Sequence, residues 1–367
     1  MFGLFLTSAV TLLQFYVSWR IDSMPALKRG KLRTTLFGAG IVLWVVFLAG
    51  RLYGHGGSGR LAVTLESVGM VWMVVLFLIA VCFLVVDAVT GFGVFFPRAV
   101  QRLRNAALAA GLLLSVIAFI QGHRAPVIES FAVTIPGLPI ELEGKVLMGL
   151  ADLHFGTTMD NASLTDRVRQ VMAEQPDLVV LLGDVVEGDG QADEKLASTL
   201  RGLSAPLGVW GVLGNHESHG SARKNAMRLA EAGVRVLRSE RAEICPGFFL
   251  AGVNDVTSGE KNGRMITELT KTLQGLPTGV ATILLSHAPV GADFAASHGV
   301  SLMLSGHTHG GQIWPFSYLV GLRYPLRDGH YTVGGMTVIV CRGTGTWATR
   351  MRLWSPCSIL RITLRRG

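Results

Sequence analysis

The chain has 367 residues, 50% of them hydrophobic, a formal net charge of +8 and 4 cysteines. That apolar fraction is high for a soluble domain of this length, so the distribution of the apolar residues is the first thing to establish. The positive charge does not indicate nucleic acid: no nucleic-acid module is recognisable, and much of the charge falls in short connections of the N-terminal third.

Four apolar segments come first, at about Phe2 to Trp19, Thr35 to Leu52, Val68 to Val94 and Ala106 to Ile120. The middle two have the length of a bilayer-spanning helix, and the outer two lie near its lower limit. The first lacks the basic start and small-residue cleavage site of a signal peptide. We therefore expect a four-helix transmembrane domain over residues 1–122. The first connection carries Arg20, Lys28, Arg29, Lys31 and Arg33, the third Arg98, Arg102 and Arg104, and the second only Arg51 and Arg60. Basic connections stay in the cytoplasm. Both termini and the C-terminal domain are then expected outside, with the spans in the inner membrane of a bacterium. Asp87, at the end of the third segment, is expected near the cytoplasmic headgroups.

Residues 123–143 hold Pro126, Pro136 and Pro139 and read as a connector, either an extended tether or an edge strand. Residues 144–367 alternate apolar strands with helical stretches at Asn161 to Ala173, Ala192 to Leu200, Ser221 to Glu231 and Thr267 to Leu273. Such alternation predicts a two-sheet sandwich flanked by helices, an α/β/β/α domain.

Five short clusters follow apolar strands in this domain: Asp152-Leu153-His154, Gly183-Asp184, Gly214-Asn215-His216-Glu217, Ser286-His287 and Ser305-Gly306-His307-Thr308-His309-Gly310-Gly311. Strand C-termini are where α/β sheets present functional loops. Two Asp, one Asn and four His form a mixed donor set that suits Mn, Fe, Zn or Ni better than Ca or Mg. Phosphoester hydrolysis needs a nucleophile made from water and neutralised phosphoryl oxygens, and two divalent metal ions about 3.5 to 4 Å apart supply both. On an extended backbone, Asp152 with His154 and His307 with His309 would share a face.

The ordered set resembles the calcineurin-like metallophosphoesterase superfamily, in particular its membrane-associated bacterial branch with a Ser-Gly-His-Thr-His-Gly-Gly-Gln segment. The resemblance runs from about Gly144 to the C-terminus. It implies that Asp152, His154 and His309 bind one metal, that Asn215, His287 and His307 bind the other, and that Asp184 bridges them. His216 is then not a ligand but assists the leaving oxygen, while metal-bound hydroxide attacks phosphorus in line. Two departures bear on substrate: Ser218-His219-Gly220 follows Glu217 where related proteins often have aromatics, and Glu187 stands three residues after Asp184 where many have Asn or Asp.

Membrane tethering favours a lipid phosphate or lipid-linked pyrophosphate at the outer face. The alternatives are the pyrophosphate of a UDP-linked acylated glucosamine in lipid A assembly, a soluble phosphodiester, and a membrane scaffold in which the metals are structural. His219 and His298 read as ordinary surface or loop histidines. Glu187 and Asp189 read as a solvated loop, with ligand orientation as the alternative, and Asp255 is ambiguous. The aromatic stretch Gln312 to Arg327 either forms a lip for an acyl or prenyl chain or packs on the domain. Cys82 falls in a span, which leaves Cys245, Cys341 and Cys357, among which one disulfide is conceivable.

Overall fold

The structure, a computed structural model, describes residues 2–27, 31–54, 59–187, 194–219, 221–255, 257 and 262–367. Lys28, Arg29, Asp189, Ala192 and Gly220, used above, lie outside the described residues. The chain forms two compact units, Met1–His123 with Ala348–Leu353, and Arg124–Trp347 with Trp354–Gly367.

The first unit consists of α1 (Phe2–Asp22), α2 (Leu32–Ala49), α3 (Arg60–Thr90) and α4 (Val100–Gly122). Each belongs to a helical stretch long and apolar enough to cross a membrane. Their outward faces carry large apolar side chains, among them Leu12, Phe15, Val42, Val85 and Phe119, all exposed. Such a surface suits hydrocarbon rather than water. α3 starts before the expected Val68, because Leu61, Val63 and Leu65 continue the helix past the charges at Arg60 and Glu66. It stops at Thr90 rather than Val94, because Gly91 adopts a left-handed φ of 55° and returns its N–H to the Asp87 carbonyl. α3 packs against each of the other three helices. The approach of α4 needs a glycine: a Cβ on Gly111 would lie 2.7 Å from Ile79 Cα.

Asp87 is buried in α3, and the structure supplies the partners that sequence alone did not assign. Its carboxylate lies 2.7 Å from Arg20 Nε and accepts from Tyr16 Oη at 2.5 Å. Arg104 Nη2 is 3.8 Å away. A buried carboxylate is tolerated when cations and donors surround it. Ala348–Leu353, placed by sequence within the C-terminal domain, belongs to this helical unit. Within it the Arg352 N–H donates to the Ala118 carbonyl of α4 at 2.9 Å.

The second unit holds, in order, β1 (Val127–Ile135), β2 (Val146–Leu150), α5 (Asn161–Ala173), β3 (Leu178–Leu182), α6 (Glu194–Leu200), β4 (Val209–Val212), α7 (Asn215–His219), α8 (Ala222–Glu231) and β5 (Arg235–Val236). It continues with β6 (Glu240–Cys245), β7 (Phe248–Gly252), α9 (Asn262–Leu273), β8 (Ala281–Leu285), α10 (Ala292–Ser297), β9 (Leu302–Ser305), α11 (Phe316–Arg323), β10 (Gly329–Val333), β11 (Met336–Val340) and β12 (Ser358–Arg366). One sheet runs β1-β12-β2-β3-β4-β5 and the other β10-β11-β9-β8-β7-β6. β1 is therefore an edge strand.

Strands β2 to β5 are mutually parallel, as are β7, β8, β9 and β11. Leu147, Val180, Val212 and Leu360 of the first sheet pack with Leu250, Ile283, Leu304 and Ile339 of the second in one core. The opposite faces are covered by Leu164, Val168 and Leu229 from α5 and α8, and by Met265, Leu269 and Ala295 from α9 and α10. This is the α/β/β/α layering expected from sequence. All four cysteines are free.

Candidate metal centre

The parallel strands bring the five clusters to one place. Asp152 follows β2, Asp184 follows β3, Asn215 follows β4, His287 follows β8, and His307 and His309 follow β9. Ligand atoms of Asp152, His154 and His309 lie within 4.8 Å of one another, and so do those of Asp184, His287 and His307. A third such group, His154, Asp184 and His216, joins the two. His154 Nε2 is 3.1 Å from His309 Nε2, and His287 Nε2 is 3.0 Å from Asn215 Oδ1, 3.2 Å from Asp184 Oδ2 and 3.2 Å from His307 Nδ1. All seven candidate ligands thus converge.

They do so by a different backbone route from the extended one expected. Asp152, His154, Asp184, His307 and His309 have φ of 54°, 49°, 51°, 72° and 51°. Left-handed backbone at non-glycine residues is costly and concentrates at functional sites. Here these residues turn the chain as it leaves each strand, and the side chains of each pair still meet at the centre. Glu217 holds part of this geometry. Its buried carboxylate accepts from the N–H groups of Asp184 at 2.9 Å, Val186 at 2.8 Å and Gly214 at 2.7 Å. Gly214 itself has no room for a side chain, since a Cβ there would meet Asp184 Oδ1 at 2.1 Å.

The donor set is that of a cation site. His154 Nδ1 lies 2.7 Å from Glu187 Oε1 and donates to it, and His287 Nδ1 donates to the Leu182 carbonyl at 2.8 Å. In each neutral ring the lone pair is then on Nε2. On that side stand the His309 Nε2 nitrogen, the Asn215 carbonyl and the Asp184 carboxylate. Acceptors gathered in this way need positive charge in their midst, which protons on the rings supply in the metal-free site and divalent ions would supply in their place. Among the described residues, the ion-pair partners of Asp152, Asp184 and Glu187 are all histidines.

The proton equilibria reflect the same imbalance. Burial pushes Asp152 up to about 6. Burial disfavours charge on His287 too, yet the Asp184 carboxylate outweighs it and holds the imidazole well above its ordinary value. Burial and the neighbouring His287 press His307 down to about 3, which leaves it a neutral donor. The residues present therefore fit two divalent ions.

His216 is placed differently from the seven. Its Nδ1 is hydrogen-bonded to Glu187 Oε2, and its Nε2 is 3.9 Å from Asp184 Oδ2. Burial opposes protonation, but the Glu187 hydrogen bond prevails and raises His216 to about 9. Glu187 is thus no solvated loop residue: one carboxylate oxygen serves His154 and the other His216. The sequence signal was present, since Glu187 occupies the third position after Asp184, but the polar run behind it suggested a loop. His298 is the ordinary histidine expected, exposed with Nδ1 2.8 Å from the Phe294 carbonyl. Asp255 accepts from the Thr257 N–H at 3.0 Å.

Tyr324 was read from sequence only as part of an aromatic stretch. Its Oη lies 2.9 Å from His307 Nε2, and the rings are edge-on with centroids 5.1 Å apart. With Nε2 engaged by Tyr324, His307 presents Nδ1 toward His287. Tyr324→Phe is expected to weaken metal binding about tenfold or more, the usual cost of removing such a support. Metal titration of the two proteins measures it, and equal affinities would deny the hydroxyl this role.

Fold and site together define a metal-dependent phosphoester hydrolase. Residues 146–311 match the family model "Calcineurin-like phosphoesterase". An uncharacterised metallophosphoesterase of Aquifex aeolicus is 34% identical over 65% of this chain and 91% of its own length. One from Campylobacter jejuni is 31% identical over 66% of this chain and 64% of its own. A Bos taurus "Transmembrane protein with metallophosphoesterase domain" is 31% identical over 69% of this chain and 60% of its own. The chain thus spans less than two thirds of the last two relatives. It belongs to the calcineurin-like metallophosphoesterases.

Proposed function

We propose that the protein hydrolyses a phosphoester or pyrophosphate carried by a membrane lipid, at the outer face of the membrane that holds α1 to α4. The observation that carries the hydrolytic reading is the convergence of three groups of histidine and aspartate ligand atoms, two of them sharing Asp184 and two sharing His154. Asp152, His154 and His309 would hold one divalent ion, Asn215, His287 and His307 the other, and Asp184 both. So held, two such ions supply Lewis acidity to the phosphoryl oxygens and an acidified water.

The chain's own residues do the rest. Glu217 and the left-handed turns fix the ligands before substrate arrives, so little reorganisation accompanies reaction. Glu187 takes the Nδ1 proton of His216 in a hydrogen bond and fixes that ring. The Glu187 hydrogen bond on Nδ1 favours the protonated ring, so that His216 can hold a proton on Nε2 for the departing oxygen.

The test is hydrolysis of bis-p-nitrophenyl phosphate and p-nitrophenyl phosphate by detergent-purified protein, stripped and then supplied with Mn, Zn, Ni, Fe or Mg. Metal-dependent turnover supports the reading, and none at full occupancy would leave a structural metal scaffold.

The outer-face assignment draws on charge. Arg20 and Arg104 are partnered by Asp87, and setting them aside leaves Lys28, Arg29, Lys31, Arg33, Arg98 and Arg102 against Arg51 and Arg60. The bias survives. An alkaline phosphatase fused at the C-terminus is expected to be active in cells. An inactive fusion, together with an active cytoplasmic reporter at the same point, would reverse the topology and favour a nucleotide-linked lipid made inside.

A further inference from the structure

α11 presents an apolar face to solvent at the edge of the metal centre. Phe316, Tyr318, Leu319 and Leu322 are 45%, 66%, 57% and 82% exposed, and the helix has no buried residue. Phe316, Leu319 and Leu322 recur every third residue, and Leu322 also lies four beyond Tyr318, so they share one side. A contiguous apolar face of this kind marks an interaction surface.

Both ends of α11 are tied to the site. On the N-terminal side, a Cβ on Gly311 would lie 2.3 Å from Ser317 Cα, so the turn that carries His309 packs directly on the helix. On the C-terminal side, Tyr324 follows Arg323 and reaches His307. Just before the helix, Trp314 pairs with the exposed Trp354, ring centroids 5.0 Å apart.

The chemistry of this surface is that of a lipid boundary. Leu and Phe supply apolar area, Tyr318 and the two tryptophans are residues favoured at headgroup level, and exposed Arg323 at the helix end suits anionic headgroups. The chain also brings its own bilayer. α4 closes at Gly122 and β1 opens at Val127, so four residues tether the catalytic unit to the last span.

We propose that α11 lies in the headgroup boundary of that bilayer, which presents the metal centre to phosphate borne by lipid. The docking stands on its own; the consequence for substrate rests on the hydrolytic reading above.

The experiment uses the full chain in lipid nanodiscs, with Cys82 and Cys245 changed to Ser and a nitroxide attached at Leu322→Cys. Met227→Cys, on the catalytic unit and 57% exposed in the native chain, is the reference. The Leu322 label is expected to collide several-fold more with oxygen, which partitions into lipid, and several-fold less with aqueous nickel chelate than the Met227 label. Equal nickel accessibility at the two positions would overturn the proposal. So would protection of Leu322 from both reagents, the signature of a second copy or another protein covering it. A second variant, Leu319→Glu with Leu322→Glu, is expected to lower turnover of phosphatidic acid in vesicles several-fold more than turnover of bis-p-nitrophenyl phosphate. Equal effects on both substrates would remove the consequence for substrate. The label reads docking without turnover, so a failure of docking and a failure of the hydrolytic reading are told apart.

Discussion

Asp184→Asn is expected to abolish phosphoester hydrolysis and to release metal from both halves of the centre. Asp184 belongs to two of the three convergent groups. Its Oδ2 lies 3.2 Å from His287 Nε2, and its Oδ1 accepts the His216 N–H at 2.9 Å. Asparagine keeps the volume and one acceptor but puts an NH₂ where a second anionic oxygen stood. That removes the charge able to serve two cations and turns donor hydrogens toward them. Several kcal/mol of charge stabilisation would be lost, a fall of about 1,000-fold or more in turnover. Metal per chain, measured by mass spectrometry after dialysis, should drop from two toward none while circular dichroism is unchanged. Retention of two ions with full activity would deny Asp184 its place between them.

The sequence made much of this legible because the relevant signals are short-range. A buried parallel strand is a run of apolar residues, and its end is marked by the polar cluster that follows, so β2, β3, β4, β8 and β9 and the residues after them were readable in order. Spans are legible for the same reason, being long apolar runs. What escaped depends on distant parts of the chain or on backbone detail. β1 pairs with β12, Val127 against Ser358, and nothing in either segment names the other. Ala348–Leu353 belongs with the helices although it lies inside the catalytic part of the sequence. The partners of Asp87 come from α1 and α4. Periodicity predicts extended or helical backbone only, so the left-handed turns at Asp152, His154, His307 and His309 had no sequence signature. Glu187 and Tyr324 were visible as residue types, but their roles depend on which ring they meet.

His216→Ala is expected to retain metal and to lose rate by about 100-fold or more, the usual contribution of a positioned acid. The reasoning rests on where its two nitrogens go. Nδ1 is occupied by Glu187, which assigns the chemistry to Nε2, and neither nitrogen is needed to complete the sets formed by Asp152, His154 and His309 and by Asp184, His287 and His307. A substrate with a good leaving group, such as p-nitrophenol, should suffer less than an alkyl ester, because its oxygen needs less help from a proton. Loss confined to metal occupancy would instead make His216 a ligand. Glu187→Gln extends the test, since Glu187 reaches both His216 and His154, and it is expected to lower rate and metal affinity together, the latter by about tenfold. In a double-mutant cycle the rate effects of Glu187→Gln and His216→Ala should overlap, while the effect on metal affinity should persist in the His216→Ala background. Strict additivity in rate would mean that the hydrogen bond between Glu187 and His216 does not serve catalysis, and a metal effect that vanished with His216 would remove His154 from the role of second partner.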